Sequence, residues 1–334
     1  MDIEDPPQLL GYLRASGHIA AGEVPAMRPL PGGVSSRVML IERANGEAWV
    51  AKQSLAKLRV AVDWHSSPER IHREALGQRW LEQLTPPGSI APLICEDHEH
   101  HLLMMQAVPE PHATWKSMLL GGQLSPSHFE QFGTLLGMLH REAANRTELP
   151  VLFDDTSFFE SLRLEPYYTY SAAQAPEAAG FLNRLIDDTR KRRLTLVHGD
   201  YSPKNILVHR DQLVLLDHEV IHWGDPAFDV GFSLTHLLSK AHHLPHHRAA
   251  FGEMAQQYWK AYREALGDPP WAHDLEIHAV RHTLACLLAR CVGRSPLEYL
   301  NANARTRQRD VVAALTAQPP VGVTELITTF IDRI

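Results

Sequence analysis

Asp200, Asn205 and Asp217 are the residues of this 334-residue chain whose types and spacing promise chemistry. They stand five and then twelve residues apart, with the apolar stretches Leu207-Val208 and Leu213-Val214-Leu215 between the last two. A carboxylate held in a turn can accept a hydrogen bond from a hydroxyl, orient it, and take its proton while a phosphoryl group moves onto the oxygen. An amide oxygen and a second carboxylate are hard ligands of the kind Mg²⁺ takes, a few from protein and the rest from phosphates and water. Brought to one point, the three would serve a magnesium-bound nucleotide and a hydroxylated acceptor.

The elements that must position them are legible. Asp200 follows His198-Gly199 at the end of an apolar strand, 195–198, so its carboxylate projects from a rigid edge. An aspartate after glycine is by itself a common turn cap. The strand pair 206–208 and 213–216 then carries Asn205 at its start and Asp217 at its end, and that hairpin makes an accidental spacing a poor explanation. Upstream, residues 26 to 53 read as strand, glycine turn, strand, a two-residue Asn45-Gly46 hairpin, and strand. A helix is predicted over 68–84, with Ser67 as cap, Pro68 in its first turn, and a stripe of Ile71, Ala75, Leu76 and Trp80. Short strands are predicted near 90–96 and 101–107. After Val108-Pro109-Glu110-Pro111 the pattern turns helical, over 128–144, 176–191, 233–243, 249–266, 274–292 and 305–316. The fold class is therefore α+β, a small β-rich lobe over 1–107 and a larger, mainly helical lobe over 108–334.

His198-Gly199-Asp200 with Asn205, followed by Leu216-Asp217, resembles the catalytic and metal-binding loops of the aminoglycoside phosphotransferase and choline kinase superfamily. Gly224-Asp225-Pro226 with Asp229 resembles the segment after that family's metal aspartate, and Leu139-His140 at a helix end is also typical of it. The resemblance implies a bilobal protein-kinase-like fold, ATP and Mg²⁺ as cofactors, Asp200 as catalytic base, and Asn205 and Asp217 as metal ligands. It implies for Asp229 a structural part, holding the catalytic loop by hydrogen bonds.

The amino-terminal half fits the same expectation. Gly32, Gly33, Ser35 and Ser36 lie between two strands, where backbone N–H groups and hydroxyls would cover phosphates. Lys52 resembles the strand lysine that contacts nucleotide phosphates in kinase-like folds, and Glu74 on the next helix would pair with it. Met104 to Val108 would connect the lobes, the backbone at Met105 and Ala107 reading an adenine edge over an adaptable methionine bed; an ordinary buried strand end is the equal alternative. Lys204 would neutralise the transferring phosphoryl group or stand solvated. Glu219 would assist the metal or touch the acceptor, and Asp217-x-Glu219 resembles methylthioribose kinase of the same superfamily.

Composition narrows the classes. A net charge of −7 disfavours a nucleic-acid partner. No run of about eighteen apolar residues predicts a membrane span, and the acidic N-terminus predicts no secretory leader. Three scattered cysteines predict reduced thiols and a cytoplasmic location. Histidines crowd His98 to His101 and His242 to His247, which read as exposed polar loops rather than a zinc site. For the acceptor, Tyr167, Tyr168, Trp223, Trp271, Arg281, Arg290, Arg294 and Glu298 are candidates: aromatics to box a cationic or sugar-like group, Arg290 and Arg294 to bind an anion or to finish a helix. The expectation is an ATP-dependent phosphotransferase acting on a small hydroxylated molecule, with oligomeric state open. The alternative is a nucleotide-binding regulatory module without activity, which the retention of Lys52, Glu74, Asp200, Asn205 and Asp217 disfavours.

Overall fold

The computed structural model describes residues 1–31, 35–59 and 64–334. Tandem prolines after Asp5 start helix α1 (Pro6–Ala15), with the Gln8 N–H donating to the Asp5 carboxylate at 3.2 Å. Strands β1 (Ala26–Pro29), β2 (Ser36–Glu42) and β3 (Ala48–Ser54) precede helix α2 (Arg70–Leu84), and β4 (Leu93–Asp97) and β5 (Leu102–Gln106) follow it. The five strands form one antiparallel sheet in the order β1-β2-β3-β5-β4. Alternation along the strands gives each face its own cover. Met39, Ile41, Trp49, Ala51, Leu102 and Met104 pack under α1 through Leu9 and Leu13. Leu103 and Met105 pack on the other face with Ile71 and Ala75 of α2.

Two local expectations change. The β2–β3 connection is a three-residue loop rather than a two-residue one. The Arg43 N–H still donates to the Glu47 carbonyl at 2.8 Å, and Gly46 closes the turn with φ +87°. Helix α2 starts at Arg70, because Pro68 and Glu69 belong to a preceding turn in which Ser67 accepts from the N–H of Glu69 and of Arg70.

The second part opens with β6 (His112–Thr114), α3 (Trp115–Leu120) and α4 (Pro126–Ala144). Helix α4 lies so close to the helix Arg248–Leu266 that a Cβ on Gly133 would sit 2.3 Å from the Tyr258 carbonyl. The helix Pro226–His243 is buried almost throughout, against Leu275–Val292. It begins well before the predicted residue 233, because Asp225 caps it and Pro226 suits its first position. Residues Glu160–Thr169 form a π-helix. The predicted 176–191 helix is Pro176–Lys191. Set into this helical body are β7 (Thr195–Val197), β8 (Ile206–His209), β9 (Gln212–Leu215) and β10 (His222–Gly224), arranged as a β7–β10 pair and a β6–β8–β9 sheet. The result is a two-lobed, kinase-like architecture. The far end of α2 (Leu81, Leu84) and Ile90 join the core of the helical lobe, which fixes one lobe against the other. Among the described residues no helix is long and apolar enough to cross a membrane.

Candidate active site

Strand β7 delivers the chain into His198-Gly199-Asp200, where Gly199 takes φ +76°. A Cβ there would lie 2.9 Å from the Val220 carbonyl, so the turn needs glycine for space as well as for its backbone angle. Asp229, fully buried on the helix Pro226–His243, accepts from the His198 N–H at 2.7 Å and the Gly199 N–H at 2.8 Å. It therefore holds the loop as expected. The Asp200 carboxylate, itself buried, is met from two sides. Asn205 Nδ2 donates to Oδ2 at 2.7 Å and Lys204 Nζ to the same oxygen at 3.0 Å, while Arg163 Nη2 lies 3.0 Å from Oδ1. Burial alone would raise the Asp200 pKa, but the Arg163 and Lys204 cations outweigh it and hold the group below its ordinary value. It is ionised at neutral pH.

Arg163 escaped the sequence analysis. It stands in the π-helix, where its Nε also donates to the Gly199 carbonyl at 2.7 Å, so one guanidinium fixes both the loop and the carboxylate. A π-helical turn is a frequent mark of a functional position, but its register has no sequence motif.

Lys52 on β3 reaches both its predicted partner and the second loop. Its Nζ is 2.7 and 2.8 Å from the Glu74 oxygens and 2.7 Å from Asp217 Oδ1. Asp217 sits at φ +68°, a left-handed conformation that aspartate tolerates better than most residues. Burial would lower the lysine pKa, yet the Asp217 and Glu74 carboxylates hold it above its ordinary value. Burial likewise opposes the Asp217 anion and is overcome by Lys52 and Lys204, which depress that group. Glu74 goes the other way: burial, reinforced by the Asp217 and Glu219 carboxylates, pushes it up to about 7 against the pull of Lys52. Glu74, Asp217 and Glu219 each place an oxygen within 4.8 Å of the others.

Glu219 is tied to a second arginine that the sequence analysis passed over. Arg70 is fully buried, with Nε 2.9 Å from Glu219 Oε2. Its remaining N–H groups donate to the carbonyls of Ser66, Ser67, Leu55 and Ser35. Its position one turn before Glu74, on the same face of α2, was the available signal. The oxygens fit a hard cation. Asn205 spends Nδ2 on Asp200, and its Oδ1 accepts no hydrogen bond among the described residues; Asp217 Oδ2 is likewise left to one side of the lysine contact.

A family model for the phosphotransferase enzyme family matches residues 26–275. The chain belongs to that family. It is a phosphotransferase. Among curated proteins, none matches it by sequence. Its fold is similar to an amicoumacin kinase solved with AMP-PNP and Ca²⁺, at TM-score 0.59 and 16% identity over 90% of this chain and 91% of that one. It is similar to a choline kinase from Cryptosporidium parvum Iowa II at 0.60 and 11%, over 97% and 100% of the two chains. A choline kinase from Streptococcus pneumoniae gives 0.56 and 14%, over 92% and 99%. At such identities the likeness establishes the kinase-like fold.

The other predicted residues of this phosphotransferase divide. Gly32 and Gly33 lie outside the described residues. Ser36 is buried at the start of β2 with its hydroxyl unpartnered among the described residues, and the half-buried Ser35 has its carbonyl occupied by the Leu55 N–H and Arg70. At Ala107 the N–H is taken, while its carbonyl accepts no backbone hydrogen bond among the described residues. Its N–H donates to the Ala48 carbonyl at 2.9 Å, extending the β3–β5 ladder by one residue. Met105 is paired opposite Val50 and buried beneath α2, as the buried strand end describes, whereas Ala107 is half-buried just beyond the end of β5. Of the acceptor candidates, Tyr168 is core, its hydroxyl 2.7 Å from His282 Nδ1. Trp223 donates to the Arg193 carbonyl, and Trp271 packs against the core. Arg281 faces Asp188, Arg294 pairs with Glu165 at 2.9 Å, and Glu298 pairs with Lys116. Tyr167 and Arg290 connect to Asp200 through Arg163, since both guanidiniums lie against the Tyr167 ring and Arg163 contacts the carboxylate.

Proposed function

We propose that this phosphotransferase moves the γ-phosphoryl group of ATP to a hydroxyl of a small molecule, with Asp200 as base and with Asn205 and Asp217 as the ligands of Mg²⁺. The observation that carries the reading is the convergence of Arg163, Lys204 and Asn205 on one buried carboxylate, beside the Lys52–Asp217 ion pair. Magnesium-bound ATP would supply the phosphoryl group and the positive charge that offsets its oxygens. The protein's part is positioning. Asp200 accepts the acceptor's O–H hydrogen bond and receives its proton as the O–P bond forms and the bond from phosphorus to the leaving bridging oxygen breaks. Its depressed pKa suits orientation first and proton capture late. Lys204 sets a cation beside the oxygen that the new bond uses, and Glu74 aims Lys52 at the phosphate side of the cleft. With the Ala107 N–H engaged, the first backbone donor beyond the ladder is that of Val108, which becomes the proposed adenine contact.

The test is Asp200→Asn. Acceptor-dependent ADP release should fall by about 10²–10⁴-fold, the usual worth of a general base, while stabilisation by ATP and Mg²⁺ in a thermal melt persists. Undiminished turnover would remove Asp200 from the role. Wild-type protein that gains no stability from millimolar ATP and Mg²⁺ would remove the nucleotide altogether.

A further inference from the structure

Among the described residues, two cations lie buried in the helical lobe with no carboxylate in direct contact. Lys240, on Pro226–His243, is 1% exposed, and its Nζ donates to the His236 carbonyl one turn earlier at 3.1 Å. Arg290, on Leu275–Val292, is 6% exposed. It donates to the Ser295 carbonyl at 2.9 Å and the Ser295 hydroxyl at 3.1 Å, approaches His236 Nε2 at 3.1 Å, and leaves its buried Nε unpartnered. Among the described residues neither cation touches an acid, whereas Arg294 has Glu165 and Lys116 has Glu298. Burial, then the Lys116 charge and more weakly that of Arg290, push Lys240 down to about 7 against the pull of the Glu298 carboxylate, which is itself paired with Lys116. His236 is driven well below its ordinary value by burial and by the same two neighbours, Arg290 and Lys240, and stays neutral.

Aromatic faces recover part of the cost of taking these charges out of water. Arg290 lies 4.8 Å from the Tyr167 ring centre and 5.3 Å from that of Phe232, and Lys240 Nζ lies 5.5 Å from the Tyr299 ring. Ring quadrupoles are weaker counter-charges than anions, so holding Lys240 and Arg290 together with no anion in contact is a standing cost, met in part by the fall in the Lys240 pKa. The place of the pair says what it is for. Arg163, which grips Asp200, lies over the same two rings as Arg290, at 5.9 and 5.7 Å. One layer of side chains therefore leads from the catalytic carboxylate through Arg163 and the Tyr167–Phe232 face to Arg290 and Lys240. At its far end the Tyr299 hydroxyl is buried without a partner among the described residues and adds a third polar group.

We propose that the acceptor of this phosphotransferase carries an anionic group, a carboxylate or a phosphate ester, which docks on Arg290, Lys240 and the Tyr299 hydroxyl while its reacting hydroxyl faces Asp200. The inference rests on the acceptor binding in the helical lobe beside Asp200. A purely cationic acceptor would meet two like charges there and gain nothing from them.

The test uses the full-length protein with its nucleotide site filled by a non-hydrolysable ATP analogue and Mg²⁺, so that the phosphate-binding groups are occupied. Malonate and sulfate are titrated at constant ionic strength, and the shift in melting temperature is read. The wild type should be stabilised by malonate if the group is a carboxylate, by sulfate if it is a phosphate ester; Arg290→Gln and Lys240→Met should each weaken that response about tenfold or more. Lys240→Met gives a second readout. It removes a buried amine that has no carboxylate in contact among the described residues, so the ligand-free melting temperature should rise, as when a site built for function is relieved; a lysine present for packing alone would lower it. A response to neither anion, a response that both variants retain, or a fall in melting temperature in Lys240→Met overturns the inference. ADP release from matched pairs, hydroxy acid against its amide, should favour the acid, and a preference for the amide overturns it as well. Failure of the ATP analogue to bind is a separate result: it strikes the phosphoryl-transfer assignment, and the same variants still decide the anion arm when it is run without nucleotide.

Discussion

Replacing Gly199 by alanine, with Gly46→Ala as its partner, separates backbone strain from contact at the catalytic loop. Both glycines are left-handed, at φ +76° and +87°. An L-residue in that region costs about 1–2 kcal/mol, offset by roughly 0.4–1 kcal/mol from the stiffer unfolded chain. At Gly46 a Cβ meets nothing within 4 Å, so Gly46→Ala should cost about 1 kcal/mol or less. At Gly199 the Cβ would lie 2.9 Å from both the carbonyl and the Cγ2 of Val220, a buried residue in the turn between Asp217 and β10. Neither atom is the free end of a flexible side chain, and overpacking of this kind adds about 1–3 kcal/mol. Gly199→Ala should therefore cost about 2–4 kcal/mol. It should also move Asp200, the next residue, away from its three partners, and an ångström of misplacement is worth about 10²-fold in rate. Urea unfolding of both variants at unchanged m value gives the first quantity, and acceptor-dependent ADP release gives the second. Equal destabilisation of the two variants, or full turnover in Gly199→Ala, would refute the reasoning.

Three further outcomes follow from the charges. Glu74 titrates higher in the folded protein, at about 7, than its ordinary value of 4.5, so its neutral form favours folding below pH 4.5 and that contribution is lost as pH rises through 7. Glu74→Gln should remove about 3 kcal/mol of that loss, seen in EDTA as a stability difference from wild type that grows between pH 5 and pH 8; parallel pH profiles contradict it. Arg70→Met leaves the Glu219 carboxylate buried and unpaired and should cost about 3–5 kcal/mol, much of it regained in Arg70→Met with Glu219→Leu; a double variant no more stable than the single would deny the pairing. Arg163→Met takes from Asp200 the largest of the charges that depress its pKa. The acidic limb of the turnover profile, where Asp200 must be ionised, should move up by about 1–2 pH units, and an unmoved limb argues against the contact.

The parts of the site that the sequence displayed are those held by short, rigid elements. Asp200, Asn205 and Asp217 each stand at the end of a strand or beside one, so their separation along the chain fixes their meeting in space. Helices between proline and glycine stops were legible for the same local reason, Pro176–Lys191 among them. Arg163 was not legible because a π-helix containing Pro166 breaks the period on which face assignments rest. Arg70 and Lys240 were missed because a basic residue on a helix reads as solvated, and only tertiary packing buries it. The Ala107 donor was lost to one extra ladder bond, a boundary difference of a single residue.

Those hidden residues divide the site into two electrostatic halves. On the nucleotide side the cations Lys52, Arg70, Arg163 and Lys204 face the carboxylates Glu74, Asp200, Asp217 and Glu219 in close pairs. That half is already neutralised by its own groups. On the proposed reading a magnesium nucleotide would use the oxygens left open, Asn205 Oδ1 and Asp217 Oδ2, while Lys52 would trade part of its carboxylate contact for phosphate. The position of Lys52 is set beforehand by Glu74, and Arg70 anchors α2 to Glu219 in the chain after Asp217. Gly77 of α2 makes the same connection through packing, since a Cβ there would lie 2.8 Å from Ile221. On the proposed acceptor side Arg290 and Lys240 have, among the described residues, no acid in contact to release. An anion docked there, as proposed, would break no internal ion pair, so the charge of an acceptor would weigh in its selection. The two halves meet at Arg163, which touches the Asp200 carboxylate with one edge and the Tyr167–Phe232 face with the other. A change in the acceptor half is thereby felt at the base, one side chain away from the oxygen it must orient.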